Sequence, residues 1–203
     1  MTTLLPEATQ ALPESARDLL FRDAHTAYSF TNEPVTDSEL AEIYDLVRYA
    51  PTMMNTQPLR MVFIRTDEAK ARLLPHLAEG NRAKSQSAPV VAILAYDVDF
   101  HENLPRMLPH ALGAKEMFSD TEFRTRVADG NAHLQAGFFI LAIRALGLDA
   151  GPMGGFDTVG VDQEFLAGTA HQSFLVVNIG HVDDAGTFPR SPRLDHDEAV
   201  TLL

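Results

Sequence analysis

The chain has 203 residues, no cysteine and a formal net charge of −12 at pH 7. The missing cysteine excludes disulfides and a cysteine nucleophile, and the acidity disfavours nucleic acid, whose phosphates are bound by clustered Lys and Arg. No apolar run approaches the roughly 18–20 residues that span a membrane, and the N-terminal segment lacks the pattern of a signal peptide. We therefore expect a cytoplasmic globular protein that is not associated with a membrane.

The first part of the chain contains two helical patterns. Residues 1–15, which include two prolines, are predicted to form a flexible arm, and residues 16–203 a single domain. A short helix is predicted from Ser15 to about Asp23. Thr36 and Glu39 have the spacing of a capping box and predict the start of a second helix, which ends before Pro51.

Helical and strand patterns then interleave along the rest of the chain. The predicted elements are a strand at 60–65, a helix at 67–77, a strand buried on both faces at 90–96, loops and short helices at 97–120, a helix at 122–148, a glycine-rich turn at 149–157, a short helix near 161–166, a strand at 173–179 and a last helix capped by Asp195 and Glu198. No G-x-G-x-x-G motif follows a strand, so the pattern does not favour a Rossmann domain. We predict an α+β fold with a central, mainly antiparallel sheet between helical layers.

The helix at 122–148 has an unusual distribution of apolar residues. Beyond Gln135 it is apolar nearly all round, which is typical of a helix that is buried on every side. In a domain of this size, that pattern favours a central helix shared with a subunit interface.

The segment from Ala50 to Pro58 joins a helical pattern to a strand and carries many polar groups between two prolines. Pro51, Thr52, Met53 and Asn55 form its first half. A stiffened loop with amide and hydroxyl groups suits the polar edge of a planar heterocycle. The alternative is a plain turn in which Asn55 bonds to its own backbone.

Three further segments could contact a ligand. Gly154 and Gly155, after Met153, would let the backbone approach a ring closely, although glycine clusters are more often plain turns. Asn81 and Lys84 could bind a polar ring edge, or could be the solvated start of a helix. Arg190 and Arg193 could hold a phosphate, or could belong to a solvent-facing loop.

Other catalytic patterns are missing from the sequence. The eight histidines include no pair within five residues, so no metal-binding spacing occurs, and we predict no metal site. The acidic residues at 195–198 are explained by the start of a helix. There is no G-x-S-x-G motif of a serine hydrolase.

Taken together, several segments resemble the FMN-dependent nitroreductases, and among them the malonic semialdehyde reductase-like branch. The segments that carry the resemblance lie at 50–60, 80–84, 144–157 and 178–180, and the similarity extends over roughly residues 17–203. Their number and order make a chance match improbable.

The resemblance implies roles for the residues at the flavin ring. Pro51, Thr52, Met53 and Asn55 would lie against the flavin from the partner subunit's half of the site. The segment with Met153, Gly154 and Gly155 would present a backbone amide to flavin N5. Asn81 would meet the pyrimidine edge, and Lys84 would stabilise the reduced, anionic ring.

The resemblance also implies a phosphate site, with departures from the family pattern. Arg190 and Arg193, with His25 and Thr26, would hold the FMN phosphate and ribityl chain. Ala24 and Tyr28 stand where the family often has basic residues, and Gly154 stands where many members have glutamate. No side chain is therefore assigned as the proton donor.

As a function, the resemblance implies a homodimer with FMN at the interface and ping-pong hydride transfer from NADH or NADPH. The acceptor would be a small molecule, either malonic semialdehyde, giving 3-hydroxypropionate, or a nitro or quinone compound. The alternative is a flavin-binding storage or sensing module without turnover.

Overall fold

The computed structural model describes residues 11–183 and 186–203. Residues 1–10 of the predicted N-terminal arm lie outside these ranges. Within them, the α-helices are α1 (Glu14–Arg17), α2 (Asp37–Val47), α3 (Asp67–Leu73), α4 (Glu79–Ser87), α5 (Leu104–Met107), α6 (Thr121–Ala145), α7 (Thr158–Phe165) and α8 (His196–Ala199). The strands are β1 (Leu59–Ile64), β2 (Val90–Asp97), β3 (Asp149–Met153) and β4 (His171–Gly180).

The four strands form one sheet in the order β1-β2-β4-β3. Every neighbouring pair is antiparallel, with Val62 opposite Ile93 in the first pair and Ile93 opposite Val176 in the second. This confirms the predicted α+β class with an antiparallel sheet.

Helices cover both faces of the sheet, which explains why β2 is apolar throughout. On one face, alternate β2 residues such as Ala92 and Leu94 pack with α2 and α6. On the other face, Val91 and Ile93 pack with Leu73 of α3 and with α7 and its neighbouring segments. A strand buried on both faces cannot alternate apolar and polar side chains.

The capping box predicted at the start of α2 is present. The Thr36 hydroxyl accepts a hydrogen bond from the Glu39 backbone amide (3.2 Å), and the Glu39 carboxylate accepts one from the Thr36 amide (2.7 Å). These reciprocal bonds satisfy amides that have no partner within the helix. At α8, the Asp195 amide donates to the Glu198 carboxylate (2.9 Å), as the predicted cap requires.

The prediction of a turn over 149–157 was wrong for its first half, which is the edge strand β3. Pro152 is compatible with an edge strand because only one side of such a strand is hydrogen-bonded. Gly151 is required by close packing, since a Cβ there would lie 2.6 Å from the Ala27 carbonyl oxygen. The Ala27 amide also donates to the Ala150 carbonyl (3.1 Å).

Several helix boundaries also differ from the prediction. The helix predicted at 67–77 ends at Leu73, and a single 3₁₀ turn containing Pro75 follows it. The helix α4 was left undecided by the sequence, because its polar composition has no apolar stripe. The first helix continues as a five-residue π-helix, Asp18–Arg22.

In the single chain, α6 is not buried on every side. Its inner face, including Phe139 and Ile143, is fully buried against the sheet. On the opposite face, Leu134 and Phe138 are 46% and 39% exposed. Leu141 and Ala145 continue this row at helical spacing, so we call Leu134, Phe138, Leu141 and Ala145 the outer stripe of α6.

In the part of the chain that the structure describes, no helix combines the length and the apolarity needed to cross a membrane.

Candidate functional site

A cavity of about 390 Å³ lies where the segment after the first helix meets the end of α6 and the segment after residue 186. Among the predicted site residues it brings together His25, Thr26, Arg190 and Arg193. Arg144 also lines it. We call this cavity the arginine pocket; its full lining is Phe21, Ala24, His25, Thr26, Tyr28, Arg144, Phe188, Pro189, Arg190, Ser191 and Arg193.

Three guanidinium groups line the arginine pocket, and none of its lining residues is acidic. Arg190 Nη2 donates to the carbonyl oxygens of Arg22 (2.6 Å) and Ala24 (2.8 Å). Arg193 Nη1 donates to the Ser191 carbonyl (2.8 Å). Within residues 11–183 and 186–203, none of the three arginines forms an ion pair with a carboxylate, so the pocket can accept an anion.

His25 and Thr26 are partly buried at the edge of the arginine pocket. In the described ranges, neither side chain makes a hydrogen bond to the protein. Both therefore remain available to a ligand, as the resemblance requires.

Tyr28 connects the arginine pocket to α4. Its ring lines the pocket, and the Lys84 ammonium lies 4.9 Å from the ring centroid, in a cation–π arrangement. Phe188 packs edge-on against the same ring at a centroid distance of 4.8 Å. Burial lowers the pKa of Lys84, and within the described residues its ammonium has no carboxylate partner.

Asn81 lies on the same face of α4 as Lys84, because the two are three residues apart. Its Nδ2 atom donates to the Gly155 carbonyl oxygen (2.9 Å), which also accepts from the Ala78 amide (3.0 Å). A Cβ at Gly155 would lie 3.0 Å from Asn81 Nδ2, whereas a Cβ at Gly154 would meet nothing within 4 Å. The backbone at 154–155 is thus held by α4 and open on its other side.

Met153 differs from its two glycine neighbours, because it is only 6% exposed. Its sulfur lies 3.8 Å from the Ser85 hydroxyl of α4. This contact anchors the end of β3 beneath α4, so Met153 supports the backbone that follows it.

The predicted loop residues Pro51, Thr52, Met53 and Asn55 lie in a different part of the chain's surface. Among the described residues, no hydrogen bond joins this loop to the arginine pocket, to α4 or to Gly154 and Gly155. The structure therefore divides the predicted residues into two groups. The resemblance, which assigns the loop to the partner subunit's site, is compatible with this separation.

The loop is held rigidly by its own chain. The Met53 amide donates to Asn131 Oδ1 of α6 (2.7 Å), and Asn55 Nδ2 donates to the Met107 carbonyl of α5 (2.8 Å). Gln57 Nε2 donates to Asn55 Oδ1 (2.6 Å). The Asn55 side chain therefore bonds to α5. The alternative interpretation required it to bond to its own backbone instead.

The loop backbone is also strained. Met54, Asn55 and Gln57 have φ values of 50°, 55° and 42°, and they are the non-glycine residues with positive φ in the described ranges. This left-handed conformation is uncommon for residues with a Cβ and is enriched at functional sites. The Thr56 hydroxyl is buried without a hydrogen-bond partner.

Two site residues were missed by sequence reasoning. Arg144 was predicted only as part of a helix, although a lone cation near the end of an apolar helix was the available signal. Tyr28 was interpreted as the loss of a basic residue, whereas its ring supports the Lys84 ammonium. Neither contact is visible in the sequence, because Tyr28 and Lys84 are 56 positions apart and Arg144 and Arg190 are 46 positions apart.

Comparisons with known proteins agree with this fold. The nitroreductase family model matches residues 22–181. A relative from Streptomyces coelicolor, named as an NADH dehydrogenase/NAD(P)H nitroreductase, is 54% identical over 190 residues, which cover 93% of this chain and 94% of the relative.

Solved structures share the fold at lower identity. A nitroreductase from Bacillus subtilis has a TM-score of 0.80 at 24% identity and covers 91% of this chain and 97% of its own. A nitroreductase from Exiguobacterium sibiricum, solved in complex with FMN, has a TM-score of 0.77 at 20% identity and covers 97% of this chain and 100% of its own. Because the family model spans most of the chain and the Streptomyces relative is similar over nearly its whole length, this protein belongs to the nitroreductase family.

Proposed function

We propose that residues 16–203 form a single FMN-binding domain that oxidises NADH or NADPH and reduces a small organic acceptor. The observation that carries this proposal is one continuous arrangement of groups. It starts at the arginine pocket, passes through Tyr28 and Lys84, and ends at Asn81 and Gly155.

The arginine pocket fits the phosphate end of FMN. Arg190 and Arg193 supply cationic donors, and His25 and Thr26 have side chains without protein partners in the described ranges. Guanidinium groups suit phosphate oxygens because they can donate two parallel hydrogen bonds. A pocket with three arginines and no acid is unusual in a chain of net charge −12.

The other end of the arrangement fits the flavin ring. Gly155 lacks the Cβ that would crowd Asn81, and Gly154 leaves open space above the backbone. Asn81 is fixed through its Nδ2 atom, which leaves Oδ1 to accept a hydrogen bond from a ring N–H. Lys84 would place positive charge beside the ring, where it favours a negatively charged reduced form.

FMN bound in this way would accept hydride from NADH or NADPH and pass it to the acceptor. The protein's contribution is to orient the ring, hold its phosphate and stabilise negative charge through Lys84. The open space at Gly154 would admit the two substrates in turn, which predicts ping-pong kinetics. No titratable side chain is assigned as proton donor, because Gly154 stands where many relatives have glutamate.

A homodimer would complete the site. The outer stripe of α6 leaves Leu134 and Phe138 exposed in the single chain, and an exposed apolar row of this kind favours a partner. The strained loop at 52–57 would then lie against the FMN of the other subunit. This supports the proposal that each flavin is lined by both chains.

For the acceptor, we propose malonic semialdehyde, reduced to 3-hydroxypropionate, with nitro and quinone compounds as further acceptors. This part of the proposal is supported by the segments at 50–60, 80–84 and 144–157, which resemble the malonic semialdehyde reductase-like branch.

The first experiment is a visible spectrum of purified protein reconstituted with FMN, followed by anaerobic addition of NADH or NADPH. We expect a flavin band that bleaches within seconds and returns when malonic semialdehyde, a nitroaromatic or a quinone is added. A protein that binds FMN but is not bleached by either nucleotide would instead support the storage or sensing module. A protein that does not bind FMN would contradict both interpretations.

Steady-state rates would then rank the acceptors. We expect malonic semialdehyde to have a higher kcat/KM than the nitro and quinone compounds, with 3-hydroxypropionate as the product. Bleaching by NADH together with reoxidation by quinones alone would refute the proposed acceptor and leave the flavin enzyme intact.

A further inference from the structure

Arg144 is placed where an unpaired cation is costly. It lies in the last turn of α6, among the buried Ala142, Ile143 and Leu148, and it is itself partly buried. Within the described residues, the Arg144 side chain donates a hydrogen bond from Nη1 to the Leu20 carbonyl oxygen (3.0 Å). Burying a charged group lowers stability unless a partner compensates for the lost hydration.

A second cation, Arg190, lines the arginine pocket together with Arg144. Burial lowers the pKa of Arg144, and the positive charge of Arg190 lowers it further. Asp149 opposes this effect, but its carboxylate accepts a hydrogen bond from the Val182 amide (2.9 Å) and does not line the pocket. Two cations that line one pocket without an acidic lining residue favour a bound anion.

The other basic side chains near this end of the chain are already engaged. Arg17 pairs with Glu14, and Arg22 pairs with both Glu14 and Asp18. Arg190, by contrast, is anchored by Nη2 on the Ala24 carbonyl. Its guanidinium therefore lies beside the backbone of residue 24, the residue on which the family pattern has a basic side chain.

From this geometry we infer that Arg144 is a phosphate-binding residue for FMN and that, together with Arg190, it replaces the cation missing at Ala24. The inference rests on the proposed function, because it names a further contact of the same flavin site. It also assigns a specificity: the site should depend on the phosphate and should bind riboflavin much more weakly than FMN.

The test compares FMN and riboflavin binding, measured by fluorescence titration, in the wild-type protein and in Arg144→Met. Loss of a charge-assisted contact should weaken FMN binding about 10- to 100-fold and leave riboflavin binding unchanged. Arg144→Lys should recover part of the FMN affinity. Arg126→Met is the matched control, since Arg126 lies on the same helix in an exposed pair with Glu122, and it should bind both ligands like the wild type.

A second measurement uses inorganic phosphate as the probe. Phosphate should compete with FMN in the wild type and should compete much less in Arg144→Met. Equal losses of FMN and riboflavin affinity in Arg144→Met would show a merely structural role and overturn the inference.

The outcomes also separate this inference from the proposed function. Wild-type affinity for FMN in Arg144→Met would overturn the role of Arg144 while leaving a flavin enzyme in place. A wild-type protein that binds neither FMN nor riboflavin would remove the proposed function, and the inference with it.

Discussion

At the scale of single residues, the two neighbouring glycines of the site differ in what surrounds them. Neither has a φ in the left-handed region, so an alanine can adopt the backbone conformation of both. The two positions differ in the room for an added Cβ. At Gly155 the Cβ would lie against Asn81 Nδ2, and at Gly154 it would meet nothing within 4 Å.

We therefore predict that Gly155→Ala displaces the Asn81 side chain and weakens FMN binding roughly 3- to 10-fold, the equivalent of about one hydrogen bond. Gly130→Ala, which adds a Cβ to an exposed glycine of α6 that has nothing within 4 Å of that position, serves as the matched control and should bind FMN like the wild type. Fluorescence titration measures both. Equal affinities for the two variants would show that the Asn81 contact with Gly155 does not support the flavin.

At the scale of secondary-structure elements, α2 depends on its capping box. Hydrogen bonds from the backbone and side chain of Thr36 lower the pKa of the Glu39 carboxyl. A carboxylate whose pKa is lower in the folded than in the unfolded state stabilises the fold at pH values above the ordinary pKa of glutamate. This contribution is lost as the pH falls through the lowered value.

Because Gln keeps an acceptor oxygen for the capping box, Glu39→Gln removes mainly the charge and is expected to reduce the free energy of unfolding by about 0.3–1 kcal/mol at neutral pH. The difference from the wild type should shrink as the pH falls through the lowered pKa of Glu39, because the wild-type carboxyl is then protonated as well. Denaturant unfolding at several pH values measures this. Glu42→Gln, an exposed change on the same helix, should have almost no effect, and a constant penalty at all pH values would refute the role of the charge.

The elements that were predicted correctly share a local cause. The capping box of α2 involves residues three positions apart, and the apolar run of β2 is continuous along the chain. The errors have a non-local cause. Gly151 and Pro152 suggested a turn, yet β4 and the backbone of Ala27 hold them in an edge strand.

At the scale of the whole molecule, the outer stripe of α6 is an exposed apolar surface that we propose as the dimer interface. We predict that the double substitution of Leu134 and Phe138 by Glu converts a dimer to monomers, because it places charges in an apolar interface. The monomer should retain its helix content but bind FMN at least tenfold more weakly, since the loop at 52–57 of the other subunit would be missing.

Light scattering after size-exclusion chromatography, with FMN titration, tests this prediction. The matched control is Val159→Glu, which places one glutamate on an exposed apolar residue of α7 (63% exposed) and should leave the dimer intact. A double variant that remains dimeric would exclude the outer stripe as the interface.

Much of the site could also be anticipated from the sequence, but only residue by residue. His25, Thr26, Arg190 and Arg193 were predicted as contacts of the FMN phosphate and ribityl chain, and they do line one pocket. Spacing could not show that they share this pocket with Arg144. Nor could it show that the Lys84 ammonium lies over the Tyr28 ring beside the pocket, because these residues are distributed over positions 25 to 193.

The sequence by itself determined the caps of α2 and α8, the buried strands, the α+β class and the candidate ligands, because each was predicted from residues close together in the chain. The tertiary structure decided that β3 is an edge strand, that one face of α6 is left exposed and that three arginines meet without an acid. These features depend on contacts between segments that are distant in the chain, and such contacts form only when the sheet and its helical layers pack together.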